Sequence, residues 1–83
     1  RSLIMLEIKV LGPGCANCRK LEELVLEALA TTGIEAEVLK VTSMDEILAH
    51  DVLRTPGLVI GGKLVSSGRI PTTATIAEWI RAA

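Results

Sequence analysis

Cys15 and Cys18 stand three positions apart, directly behind Gly12-Pro13-Gly14. Thiols at that spacing support three kinds of chemistry. They can close a short stapling disulfide, supply half of a tetrahedral zinc site or a whole two-coordinate copper(I) site, or cycle between dithiol and disulfide. A staple this short closes too small a loop to constrain the unfolded chain much. A zinc site lacks its other half, because there is no second Cys-x-x-Cys and His50 is the only imidazole. His50 reads instead as a surface residue near the end of a short helix.

Redox exchange needs a thiolate, and an ordinary cysteine with a pKa near ~8.5 is mostly protonated at neutral pH. A cysteine at a helix amino terminus is helped by unsatisfied backbone N–H groups and the positive end of the helix dipole. Arg19 and Lys20 lie about one turn further on. The spacing gives the two thiols different places: Cys15 exposed at the helix start, Cys18 one turn along on the side that packs inward. Cys15 is therefore expected to attack a target disulfide, and Cys18 to resolve the mixed disulfide. Pro13 and Gly14 keep bulky side chains off the approach to Cys15.

A second constellation is Thr55-Pro56. Proline before a strand is ordinarily a turn former. Here a cis bond before Pro56 would bring the backbone of Thr55 beside Cys15, where it can pair with an extended substrate segment.

The elements that must position these residues follow from periodicity. Leu3 to Leu11 alternates, with Ile4, Leu6, Ile8 and Val10 on one face, as expected of an inner strand. From Cys15 to about Thr31, apolar residues at Cys18, Leu21, Leu24, Val25, Ala28 and Leu29 mark a helix that Gly33 stops. Ile34 to Val41 reads as a strand nearer the sheet edge. Ser43 and Glu46 form a capping-box pattern for a short helix ending near His50. Leu58-Val59-Ile60 and Leu64-Val65 are joined by Gly61-Gly62, a hairpin signature. Thr72 or Thr73 caps a last helix whose inner stripe is Ile76, Ala77, Trp79 and Ile80, with Trp79 read as core filling rather than a substrate contact.

The order is strand, helix, strand, helix, strand, strand, helix. A right-handed crossover makes the first two strands parallel and the hairpin adds an antiparallel pair. The expected fold class is α/β, a four-stranded mixed sheet flanked by three helices. At 83 residues it forms one domain, residues 1–83, and its 49% apolar content supplies a core without disulfide staples. Copper-carrying domains with a Cys-x-x-Cys loop end on a strand, whereas this chain ends on a helix.

Gly-Pro-Gly-Cys-Ala-Asn-Cys after the first strand, Thr-Pro before the hairpin and Gly-Lys-Leu-Val-x-x-Gly within and after it form a recognisable set. From Leu3 to Ile80 the chain resembles the small, glutaredoxin-sized thioredoxin-like redox-active disulfide proteins of archaea and bacteria. The resemblance implies a minimal thioredoxin fold and thiol-disulfide oxidoreductase activity, with Cys15 and Cys18 as the redox pair and Pro56 as the cis proline. Some positions depart from larger relatives. Gly14 stands where thioredoxins carry tryptophan, Ala16-Asn17 replace Gly-Pro, and Lys9 takes the place of the buried proton-relay carboxylate. Gly68-Arg69-Ile70-Pro71 occupies the region where glutaredoxins hold glutathione. Protein disulfides are thus the expected substrates, with a flavin-dependent thiol-disulfide reductase as electron donor and no cofactor beyond the cysteine pair. Two other readings of the same thiols stay open: a copper(I) or zinc carrier, and a redox-responsive interaction module.

The formal net charge is -1 and Trp79 is the only aromatic residue, which leaves neither a basic footprint nor stacking platforms for nucleic acid. Glu7 and Lys9 interrupt the apolar amino-terminal stretch, which has neither the length of a membrane span nor the layout of a secretory signal. A cytoplasmic monomer is expected, in a compartment that keeps thiols reduced. With Met5 following Arg1-Ser2, the first residues read as processed or added sequence.

Overall fold

The computed structural model describes residues 6–14, 16–50, 52 and 54–83. Strand β1 spans Leu6–Leu11, helix α1 Ala16–Thr32, strand β2 Ala36–Val41 and helix α2 Met44–Ala49. Strands β3 (Gly57–Ile60) and β4 (Lys63–Ser67) and helix α3 (Thr73–Ala82) complete the chain. This is the order that the periodicity predicts. The expected first strand began at Leu3, and residues 3–5 lie outside the described residues.

The sheet order is β2-β1-β3-β4. β1 pairs in parallel with β2, Ile8 opposite Val38, and antiparallel with β3, Leu11 opposite Gly57. β1 is thus an inner strand and β2 an edge. The N–H of Gly12 donates to the carbonyl of Val41 at 2.9 Å, which carries the β1–β2 ladder one residue into the loop.

Alternation along these strands produces two cores. Ile8, Val10, Leu58 and Ile60 face α1 and α3 and pack with Leu21, Val25, Ala28, Ile76, Ala77 and Ile80. Leu11, Val41 and Val59 point to the other face, where Ile47 of α2 and Val52 cover them. Each fully buried aliphatic side chain is worth roughly 1.5–3 kcal/mol relative to exposure, so the first, larger cluster carries most of the fold.

Three local features refine the sequence reading. The β3–β4 turn is Gly61-Gly62 with φ of 59° and 82°, the two positive values that a type I′ hairpin requires. The ladder behind it is irregular: Val59 pairs with Leu64 but Leu58 with Ser66, so Val65 is the extra residue of a bulge. Thr72 caps α3, its hydroxyl accepting from the N–H of Thr75 at 3.2 Å. Trp79 is half-buried against the larger core, and it also lines an open groove of about 630 Å³ between β4 and α3.

Two expectations are corrected. β2 begins at Ala36 rather than Ile34: the hydroxyl of Thr32 accepts from the N–H of Ile34 at 3.2 Å, holding that residue in the turn after α1. Ser43 is the N-cap of α2, but its side chain makes no capping bond, so the capping box is not formed. Asp45 and Glu46 still place negative charge in the first turn, where the helix dipole favours it.

Candidate functional site

The chain leaves β1 at Leu11 and enters α1 at Ala16, so the loop between them sits at the end of an inner strand and the start of a helix. Cys15 lies outside the described residues. Cys18, in the first turn of α1, is 5% exposed and faces the sheet. Arg19 beside it is exposed, as are Pro13 and Gly14 on the other arm of the loop.

Gly12 explains how Cys18 fits. A Cβ at Gly12 would collide with Sγ of Cys18 and lie 3.4 Å from its Cβ. The same Cβ position is 3.7 Å from Cβ of Thr55. Three separate stretches of chain therefore converge on one point: the end of β1, the first turn of α1 and the segment before β3. Only glycine leaves room for that convergence.

The Thr55–Pro56 peptide bond is cis. Pro56 is buried, and its carbonyl accepts from the N–H of Gly68 at 2.8 Å, tying the loop before β3 to the chain after β4. Behind it, Val52 packs closely on Gly57, its Cγ2 3.1 Å from where a Gly57 Cβ would stand. The loop is thus held from both ends.

A cavity of about 270 Å³ opens on the flank of Cys18, lined by Val10, Gly12, Gly14, Cys18, Arg19, Lys40 and Thr42. Lys40 is held by Glu22 of α1 at 3.5 Å. Lys9 is on the opposite face of the sheet from Ile8 and Val10. Its side chain is 24% exposed and lies 3.8 Å from Glu7. Among the described residues no three His, Cys, Asp or Glu side chains come together as a metal site.

The sequence singles out Cys15, Cys18, Thr55, Pro56, Pro13 and Gly14; Cys15 lies outside the described residues, and the structure brings Cys18 and Thr55 together. Gly12 is not among them, since by sequence it reads only as a strand breaker. The signal was present in the row of two glycines around Pro13, but which of them packs on a thiol is settled only by the fold.

A four-stranded mixed sheet with a Cys-x-x-Cys segment after its inner strand and a cis proline before the antiparallel pair defines a redox protein of the thioredoxin class. The family model described as thioredoxin domain matches residues 6–81. The thioredoxin of Methanothermobacter thermautotrophicus is 40% identical over 72 residues, covering 87% of this chain and 94% of the relative. That of Methanocaldococcus jannaschii is 37% identical over 78 residues, covering 94% and 90%. The chain belongs to the thioredoxin family, and it is a thiol-disulfide oxidoreductase.

Proposed function

We propose that Cys15 and Cys18 are the redox pair, that Cys15 is the nucleophile and that the substrates are disulfides in partner proteins. The observation that carries this reading is the meeting of Cys18 and Thr55 at Gly12, which brings the cis-proline loop against the first turn of α1.

In the proposed cycle the Cys15 thiolate attacks one sulfur of the partner disulfide. The partner S–S bond breaks, a mixed disulfide forms, and the departing thiolate takes up a proton. Cys18 then gives up its proton and attacks Cys15, releasing the second partner thiol. Two electrons and two protons pass to the partner, and the protein is left with a Cys15–Cys18 disulfide. Burial keeps Cys18 from competing for the partner. Thr55 offers its backbone to an extended segment of the partner, with Pro56 holding that backbone in place, and Pro13 and Gly14 leave the approach open.

No cofactor enters this cycle. The pair is returned to the dithiol by a flavin-dependent thiol-disulfide reductase, and the protein works as a monomer in the reducing cytoplasm. No helix among the described residues is long and apolar enough to cross a membrane.

The test is reduction of insulin disulfides by the reduced protein. Wild type precipitates the insulin B chain, and Cys15→Ser abolishes the reaction. A fully active Cys15→Ser protein would overturn the assignment. Copper(I) or zinc retained at one equivalent through a chelator wash would favour a carrier instead.

A further inference from the structure

The charges around the site are not distributed as the net charge suggests. The ion pairs among the described residues are Lys9–Glu7 and Lys40–Glu22. Arg19, Arg54 and Arg69 are exposed and take part in neither. They approach the site from three segments of chain, Arg69 by way of the groove between β4 and α3 that it lines. Arg19 lines the cavity on the flank of Cys18, Arg54 precedes Thr55, and Arg69 follows Gly68, whose N–H is bonded to Pro56.

Arg54 is also held. Its side chain lies across Gly68, where an added Cβ would be 2.9 Å from Arg54 Cβ and 3.3 Å from its Cδ. A stem packed along backbone loses less freedom when its guanidinium takes a partner, which favours a specific contact over a solvated charge.

Among the described residues, Glu23 stands one helical turn on from Arg19 and Glu22 is paired with Lys40; other acidic groups lie elsewhere. Glu35 and Glu37 are at the start of β2, the end of the sheet away from the cysteine loop. Glu78 is in the half of α3 that runs toward the Gly61-Gly62 turn, where Ala83 comes 3.9 Å from the position of a Gly61 Cβ. Asp45 and Glu46 are on α2, which packs on the opposite face of the sheet from α1 and α3. Among the described residues, the segments around Cys18 and Thr55 thus carry three exposed arginines outside any ion pair in a chain whose formal net charge is -1.

From this arrangement we infer that the partner segment bearing the reducible disulfide is acidic, with Asp or Glu on both sides of its cysteine, contacted by Arg54 and Arg69 on one side and by Arg19 on the other. The inference rests on the exchange reaction proposed above and names its substrate class. Opposed charge of this kind speeds encounter and fixes the orientation of the incoming segment.

The experiment uses reduced protein freed of reductant and two disulfide-linked peptides of equal length, one with Glu and one with Lys flanking the cysteine. Second-order rate constants for disulfide loss are read by acid quench and chromatography. At low ionic strength the acidic peptide reacts roughly tenfold faster, and added salt narrows the gap. The readout is the ratio of the two rates, so that any change in thiol reactivity cancels. Arg54→Glu and Arg19→Glu each lower that ratio at least severalfold, while Arg81→Glu, on the last turn of α3, leaves it as it is. Equal rates for the two peptides, or a faster basic peptide, overturn the acidic-partner inference. Bis(2-hydroxyethyl) disulfide, which is neutral, separates the two claims. If it reacts while the peptides are not distinguished, exchange stands and the inference falls; if it does not react either, both fall.

Discussion

Sγ of Cys18 occupies the space that a side chain on Gly12 would need. The thiol buried at the start of α1 is thus seated against bare backbone at the end of β1, and Thr55 closes the same spot from a third side. On these two sides Cys18 is closed in, and its open flank is the cavity lined by Arg19 and Lys40.

Gly12→Ala is expected to damage the site more than its single methyl suggests. The obstacle is a sulfur on a rigid first helical turn, so relief requires α1 or the loop to shift. Overpacking of this kind costs about 1–3 kcal/mol. Urea denaturation checks the stability loss, and insulin reduction checks activity. The activity loss should exceed that of an equally destabilising substitution at Ile76, which lies in the larger core between α1, α3 and the sheet.

Cys18→Ser separates the two thiols. If Cys15 attacks and Cys18 resolves, the variant still forms the mixed disulfide but cannot discharge it by the intramolecular route. Intramolecular attack enjoys a large effective concentration, so turnover falls by about two orders of magnitude or more. The mixed disulfide then accumulates and is detected as a mass increase equal to one partner chain, reversed by dithiothreitol. Iodoacetamide adds to Cys15 in this variant and in wild type at mildly acidic pH, since Cys18 is only 5% exposed.

Much of this was legible in the residues because the signals were local. Gly61-Gly62 names its own turn, Thr72 its own cap, and alternation in β1 its own two faces. What escaped is non-local. The bulge at Val65 depends on how β4 registers against β3, and nothing in Lys63–Ser67 announces it. That bulge has a consequence for the surface: Ser66 pairs with Leu58, which puts it on the α3 face beside Val65. Its hydroxyl is buried there with no hydrogen-bond partner among the described residues. Ser43 shows the opposite failure, a correct local pattern whose side-chain bond is not made. Likewise Arg54 resting on Gly68 joins residues fourteen positions apart that only the β3–β4 hairpin brings together.

Thr72→Ala removes the hydroxyl that satisfies the N–H of Thr75 and also bonds Thr75 Oγ1 at 3.0 Å. Loss of such a cap costs about 1 kcal/mol, and Thr72→Ser or Thr72→Asn restores most of it. The midpoint of urea unfolding should fall with an unchanged slope, because the surface exposed on unfolding is the same. A change of slope would mean that the start of α3 had come away from the body of the protein.

The two cores predict two kinds of damage. Ile76 is fully buried among α1, α3 and the sheet, and Ile76→Ala removes three carbons from the cluster that carries the fold, at a cost of about 2–5 kcal/mol. That lowers the unfolding midpoint while leaving the geometry near Cys18 intact in the molecules that remain folded. Val52 belongs to the smaller cluster and acts elsewhere. Its N–H donates to Ile47 at 3.4 Å and its methyls pack on Gly57, so it braces the segment that leads into the cis Thr55–Pro56 bond. Val52→Ala removes two methyl groups and costs about 1–3 kcal/mol. The void opens under the loop, so kcat/KM for insulin reduction should fall in Val52→Ala at a temperature where both variants are fully folded, and stay near wild type in Ile76→Ala. If Ile76→Ala lost as much activity per folded molecule, the smaller core would have no special part in holding the loop.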